Sequence, residues 1–269
     1  MGNFNLDTDE EKEWYSIKSD RSSEHLGDCL ELMPLIAYES IDMILCDLPY
    51  GTTACKWDAI IPIEQMWKEY KRIIKTDGVI ALTASQPFTS ILVSSNIKMF
   101  RHEWVWQKDK SGNFMNLKFE PAKVHESVLI FGNKKGTYNP IMEQRDEKNK
   151  RKNKPRLNTS NIIHTQEFYT ENSVGNNDLK YPTSVKYYNS VRNNDHPTQK
   201  PLELFEYLIK TYSNEGDLVL DNCAGSGTTA IACLETNRKY IVIEKEEEYY
   251  KKGLKRINEW KSDKKGKLF

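Results

Sequence analysis

The chain has 269 residues with 39 basic and 39 acidic side chains, so no global basic field announces a nucleic-acid partner and only a local patch could serve one. Hydrophobic residues at 38% and charged residues at 29% describe an ordinary globular protein, large enough for one α/β domain carrying a modest insertion. Five irregularly spaced cysteines (Cys29, Cys46, Cys55, Cys223, Cys233) contain no C-x-x-C, which argues against a zinc knuckle or disulfide framework and for reduced thiols. The polar start MGNFNLDTDEEKEW does not read as a signal peptide, Leu6 breaks the myristoylation pattern, and no apolar run approaches a membrane span. A soluble, cytoplasmic protein is expected.

Residues 1–20 are charged and aperiodic, an arm or a short helix. A strand is predicted over Ser22–Gly27, ending in Gly27-Asp28, and helical character over Leu30–Ala37. Ile41–Cys46 is a short apolar run that ends in a carboxylate, Pro and Gly, as a buried parallel strand would. Met66, Trp67, Tyr70, Ile73 and Ile74 form a helical stripe within Ile63–Lys75, with Asp77-Gly78 as its stop and Val79–Thr83 as the next strand. A helix over Pro87–Asn96 and strands over His102–Gln107 and Glu126–Phe131 follow. Residues 133–195 are rich in Asn, Lys, Ser and Thr and show little periodicity; a stretch this long is more than a connection. A helix over Pro201–Tyr212, strand Asp217–Cys223, helix Thr228–Thr236, strand Tyr240–Glu244 and helix Glu248–Trp260 complete the chain. Alternating strands and helices predict an α/β fold with a mostly parallel, twisted sheet and helices on both faces.

Two strand ends carry chemistry. In Asp217–Thr229, DLVLDNCAGSGTT, an apolar strand runs into a turn whose Gly225 and Gly227 allow close backbone approach and unusual dihedrals. Glu244 ends the next strand about 20 residues on, where a carboxylate can accept both hydroxyls of a ribose. There is no third glycine and no Gly-Lys-Ser/Thr, so neither a dinucleotide nor ATP is favoured; a nucleoside-like cofactor without phosphates is. The other strand end is Asp47-Leu48-Pro49-Tyr50-Gly51. Taken alone it is a Pro turn with an aromatic that packs.

A strand ending in D-L-P-Y placed ahead of a strand ending in D-N-C-A-G-S-G-T resembles the amino-methyltransferases of DNA, whose catalytic motif is usually (D/N/S)-P-P-(Y/F/W). The motif order resembles their β class, a circularly permuted Rossmann-like methyltransferase fold with the catalytic half first. Gly27-Asp28 matches the family's contact to the cofactor adenine, His196-Pro-Thr-Gln-Lys-Pro201 the segment holding its methionine end, and Lys108 through Glu126 the motif beside the target pocket. Leu48 stands in place of Pro, and Asn222-Cys223 in place of the common Pro-Phe. The resemblance implies S-adenosylmethionine as cofactor, no metal, and contacts from Asp28, Cys29, Asp221, Cys223, Ala224, Gly225, Ser226, Gly227, Thr228, Glu244, Lys245, Thr198, Gln199 and Lys200. It implies catalysis by Asp47, Leu48, Pro49 and Tyr50 on the N6 amine of an adenine flipped out of duplex DNA. It divides the chain into an arm (1–20), a catalytic half (21–132), a target-recognition insertion (133–195) and a cofactor half (196–269).

Between Lys134 and Arg156 nine Lys or Arg face three acids, the local basic patch that a neutral protein could use on DNA. Lys108, Lys118, Lys150, Arg151, Lys152, Arg156 and Arg192 are the expected DNA contacts, with Asn161, His164, Gln166, Arg192 and Asn193 candidates for base edges. The insertion is small, which predicts a short site and leaves a homodimer open. Neither Cys46 nor Cys55 follows a Pro, so 5-methylcytosine chemistry is disfavoured. An N4-cytosine or RNA enzyme, or an inactive binding partner on the same fold, are the alternatives. The acidic run Glu244–Glu248 reads, apart from Glu244, as solvation and capping of the last helix.

Overall fold

The computed structural model describes residues 17–52, 58–146, 178–191 and 199–265. They form two compact units, Met1–Asn139 with Ser184–Phe269 and, separately, Pro140–Thr183. The larger unit contains strands β1 (Ser23–Leu26), β2 (Ile41–Asp47), β3 (Ile74–Ala84), β4 (Phe100–Gln107) and β5 (His125–Phe131), and helices α1 (Cys29–Leu32), α2 (Ile63–Ile73) and α3 (Phe88–Ser95). The smaller unit contributes a two-stranded antiparallel ribbon of β6 (Glu143–Gln144) and β7 (Leu179–Lys180), in which Arg145 donates from Nε to Leu179 O at 2.7 Å. The chain then adds β8 (Val185–Tyr187), α4 (Leu202–Tyr212), β9 (Leu218–Asp221), α5 (Thr228–Glu235), β10 (Lys239–Glu244) and α6 (Glu247–Lys265) to the larger unit.

Eight strands make one sheet in the order β1-β10-β9-β2-β3-β5-β4-β8, parallel except at β5. The period-2 alternation of β2 sends Ile44 and Cys46 to one face and Met43 and Leu45 to the other. The first face packs on Met66, Trp67, Tyr70 and Ile73 of α2 and on Phe88 and Leu92 of α3. The second packs on Leu204, Phe205, Leu208 and Ile209 of α4, on α5 and on Ile257 of α6. Full burial of each such aliphatic or aromatic side chain contributes roughly 1.5–3 kcal/mol, and that is what holds the three layers together. The expected α/β fold with helices on both faces is the fold observed, with the half bearing Asp47 first in the chain.

From β9 the chain winds through α5 to β10 and, at the next connection, from β2 through α2 to β3 on the opposite side of the sheet. The crevice between β9 and β2 is therefore a topological switch point, where open α/β sheets bind ligands at their carboxyl ends. Asp47, Asp221 and Glu244 end β2, β9 and β10, and Gly27-Asp28 follows β1, which pairs Leu26 with Glu244.

Two local readings differ from the sequence expectation. The pair Asp77-Gly78 does not stop a helix: α2 ends at Ile73, and β3 starts at Ile74, which already pairs with Ile41. The register then jumps to Met43 opposite Val79, so residues 75–78 bulge out. Gly78 is needed there because a Cβ would sit 2.7 Å from the Ile74 side chain and 2.9 Å from Asp42 O. The second difference is that the described part of residues 133–195 contains three strands. The smaller unit occupies only 140–183 of that stretch, while β8 extends the main sheet beside β4.

Candidate active site

A cleft of about 720 Å³ opens at the switch point, within the size range of small-molecule sites. One end is lined by Asp28, Cys29, Asp221, Cys223, Ala224, Gly225, Ser226, Thr228, Glu244 and Lys245, the other by Asp47, Leu48, Pro49, Tyr50, Lys108, Glu126 and Lys200. The two predicted sets thus face one continuous space.

At the first end the turn is built by carboxylates. Asp221, almost fully buried, accepts from Cys223 N at 3.0 Å and from the Thr229 hydroxyl; burial pushes its carboxyl up to about 6. Glu244 accepts from Gly225 N at 2.7 Å on one oxygen and from Glu246 N at 2.8 Å on the other. Burial raises its pKa, opposed by those backbone donors. Each of its oxygens retains a second lone pair, so the carboxylate fits the two hydroxyls of a ribose. Asp28 caps α1 by accepting from Leu30 N at 2.8 Å and meets Lys245 Nζ at 3.0 Å. Gln199 Oε1 accepts from Ser226 Oγ at 3.2 Å, tying the segment before α4 to the glycine turn. This end suits a nucleoside with no phosphate.

Gly227 is a different case. It lies outside the cleft lining with a φ of +78°, and a Cβ there would stand 3.3 Å from Gly253 Cα and 3.4 Å from Ile257 Cδ1. Its lack of a side chain lets α6 approach the turn.

At the second end Asp47 Oδ1 accepts from the Thr83 hydroxyl and lies 2.9 Å from the Tyr50 hydroxyl, while Oδ2 accepts from Lys200 Nζ at 2.6 Å. Lys200, 5% exposed, also stands 3.5 Å from Glu126 Oε2, and Lys108 Nζ pairs with Glu126 Oε1. Burial would lower the Lys200 pKa, but the carboxylates of Asp47 and Glu126 outweigh it and hold it above the ordinary lysine value. Burial would raise Glu126, and Lys200 and Lys108 together hold it below the ordinary carboxylate range. Tyr50 packs on Phe88 with ring centroids 5.6 Å apart and planes 29° apart, and burial keeps its hydroxyl protonated.

Two expected roles change with this geometry. Lys200, expected at the cofactor, directs its ammonium to Asp47 and Glu126, because those two carboxylates are the buried charges within its reach. Lys108, expected on DNA, is mostly buried against Glu126 and lies 4.6 Å over the Trp106 ring, so it is part of the pocket wall. Lys118 lies on an exposed loop beyond the cleft. Thr198, Lys150, Arg151, Lys152, Arg156 and Arg192 lie outside the described residues, as do Asn161, His164, Gln166 and Asn193. Thr83 and Phe88 were missed from sequence; their only signal was proximity to the end of the strand expected beside β2.

Residues 41–255 match the family model described as DNA methylase, which groups N6- and N4-directed methyltransferases. The DNA adenine methyltransferase YhdJ of Escherichia coli K12 is 31% identical over 254 residues, covering 86% of this chain and 81% of that protein. The type II methyltransferase M.HpaI of Haemophilus parainfluenzae is 28% identical, covering 86% and 73%. Among solved structures, the M1.HpyAVI–SAM complex superposes with a TM-score of 0.59 at 23% identity, covering 87% of this chain and 98% of that one. The cytosine-N4-specific PvuII methyltransferase superposes with a TM-score of 0.62 at 16% identity, covering 89% and 91%. By fold, by motif order and by these matches, the chain belongs to the N6/N4 DNA methylase family.

Proposed function

We propose that the chain transfers a methyl group from S-adenosylmethionine to the N6 amine of an adenine extruded from duplex DNA, at a specific site. The observation that carries this reading is the single cleft joining a partly buried Asp47 carboxylate at one end to the Glu244 ribose-type acceptor at the other. When bound, the cofactor supplies an electrophilic sulfonium methyl. The chain's own residues then have to hold the amine in line with it. A carboxylate offers about four acceptor positions, and Asp47 commits two on Oδ1 and one on Oδ2, leaving one on Oδ2 for an amino hydrogen. The Leu48 carbonyl accepts the second hydrogen, Pro49 stiffens the turn between them, and Tyr50, braced by Phe88, offers its ring to the base. Two acceptors on one amine fix the lone pair's direction, and orientation of this kind is worth several powers of ten in rate. No strong base is needed, because the methylated nitrogen loses its extra proton to solvent after transfer.

Glu244 would hold the ribose of the cofactor, Asp28 and Cys29 would border its adenine, and Gln199 with Ser226 would border its amino-acid end. The cleft does not by itself separate adenine from cytosine, since the fold is shared with an N4-cytosine enzyme. Asp at position 47 and the adenine specificity in the name of the relative from Escherichia coli favour adenine. The basic run from Lys134 to Arg156 supports duplex DNA as partner, and the bacterial sources of the similar methyltransferases favour a bacterial or phage-infected cell as its setting.

The test is nucleoside analysis of DNA from a methylation-deficient host expressing the chain, together with Asp47→Ala. N6-methyladenine is expected with the natural sequence, and its loss with retained cofactor binding in the variant. N4-methylcytosine without N6-methyladenine would overturn the base assignment, and unchanged transfer by the variant would overturn the role of Asp47.

A further inference from the structure

The loop from Lys108 to Val124, which joins β4 to β5, places large apolar side chains in water. Phe114 is 71% exposed, Met115 81% and Phe119 88%, and Leu117 is about half exposed. Scattered exposed hydrophobics are ordinary, but four within six residues form a patch, and such patches mark contact surfaces. The loop holding them is firmly built. Asn113 Oδ1 accepts from the Ser111 hydroxyl at 2.6 Å and from Lys123 N at 2.7 Å, and Asn113 Nδ2 donates to Pro121 O at 2.9 Å. Gly112 N donates to Lys123 O at 3.0 Å and Lys108 N to Val124 O at 2.8 Å, closing its neck. A 3-10 turn over Phe114–Asn116 and the bond from Phe119 N to Asn116 O at 2.8 Å shape its tip.

Its position identifies what it would meet. The neck residues Lys108, Lys110, Lys123 and Glu126 line the base end of the cleft, so the apolar tip is a lip of that pocket. Lys108, Lys110, Lys118 and Lys123 against Asp109 and Glu120 leave the loop with a positive balance, which suits a phosphate backbone. Extruding a base leaves a gap in the stack directly beside the pocket that receives it, and apolar side chains can enter base steps as wedges.

We propose that Phe119 and Met115, carried on the loop clipped by Asn113, enter the duplex as a wedge and hold open the gap left by the extruded adenine. This rests on the reading of the chain as an adenine methyltransferase of duplex DNA. Phe119 and Met115 lie outside the cleft lining, so they would act as positioning residues. Their contribution belongs to opening the duplex and not to the transfer.

That separation gives the test. The methylated site is first located by modification-sensitive sequencing. The double variant Phe119→Ser, Met115→Ser is then compared with the natural sequence on two duplexes carrying that site, one with the target adenine paired to thymine and one with it opposite an abasic position. Because an unpaired base is cheap to extrude, kcat/KM should fall by about tenfold or more on the paired duplex and by less than about threefold on the abasic one. With 2-aminopurine at the target position of the paired duplex, the fluorescence rise on binding should be lost in the variant. Equal losses on both duplexes, or no loss on either, would overturn the wedge. A variant that changes only its sedimentation as an oligomer would assign the patch to a second copy of the chain and overturn it too. If the natural sequence methylates adenine in neither duplex, the enzyme reading itself fails, an outcome that the variant data cannot mimic.

Discussion

Lys200 and Asp47 stand 153 positions apart in the chain and 2.6 Å apart in the fold. The ammonium holds Asp47 Oδ2 from one side while Thr83 holds Oδ1 from the other, so the carboxylate cannot rotate away from the place its substrate must reach. Four charges, Asp47, Glu126, Lys108 and Lys200, sum to zero where three of them are mostly buried. Removing one cation leaves two carboxylates with a single partner, which is far costlier than the pair's net worth. Lys200→Met should therefore lower kcat by about 10- to 100-fold through misplacement of the acceptor. The KM for S-adenosylmethionine should hardly move. The sign of the accompanying pH effect also follows. Without Lys200 one of the two cations that hold Glu126 below its ordinary value is gone, so the Glu126 pKa rises and activity should fall at the acid end of the pH range as that carboxylate takes up a proton. Steady-state kinetics across pH would check this, and a large rise in cofactor KM with kcat preserved would return Lys200 to the cofactor site that its sequence neighbourhood suggested. The places of Asp47 and Glu244 in the cleft are legible because each ends a strand, where a short apolar run announces it. The partner of Lys200 is not, since a long flexible side chain gives no hint of which carboxylate it will reach.

The element that most repays attention is the junction of β9, α5 and α6. Both glycines of G-S-G read from sequence as ligand-facing, because glycine permits close backbone approach and the family resemblance places both in its cofactor motif. The helix that needs Gly227 is α6, about 25 residues on, whose Gly253 lies against it, and helix–helix approach leaves no local pattern. Arg256 of α6 reinforces the contact by donating to Ser226 O at 2.5 Å and to Ser226 Oγ at 2.8 Å. Gly227→Ala should then destabilise the protein by about 1–2 kcal/mol from the left-handed backbone, with an added term for the Gly253 contact. Thermal unfolding would show it as a fall of a few degrees in Tm. Cofactor affinity should drop only as far as the turn shifts, so a variant with unchanged Tm and abolished binding would mean that Gly227 faces the ligand after all. The short strands β6, β7 and β8 were unreadable for a simpler reason, since two or three residues do not establish a period of two.

For the molecule as a whole, zero net charge has a consequence for how it holds DNA. A uniformly basic protein would bind phosphates over much of its surface, but here binding must come from a few local excesses such as the run from Lys134 to Arg156. Each phosphate neutralised releases counterions and adds about 0.9 to the slope of log affinity against log salt. Replacing Lys150, Arg151 and Lys152 together by Ala should reduce that slope by up to about 3 and weaken cognate and unrelated duplexes alike, because backbone contacts carry no sequence information. Fluorescence anisotropy with a labelled duplex over a series of potassium chloride concentrations measures it. The active-site cleft lies elsewhere in the chain, so methylation of saturating DNA should persist at low salt, where the remaining contacts suffice. An unchanged slope would show that the basic run is a solvated surface and that the duplex is held by other cations, with the lysines around the β4–β5 loop the first to test.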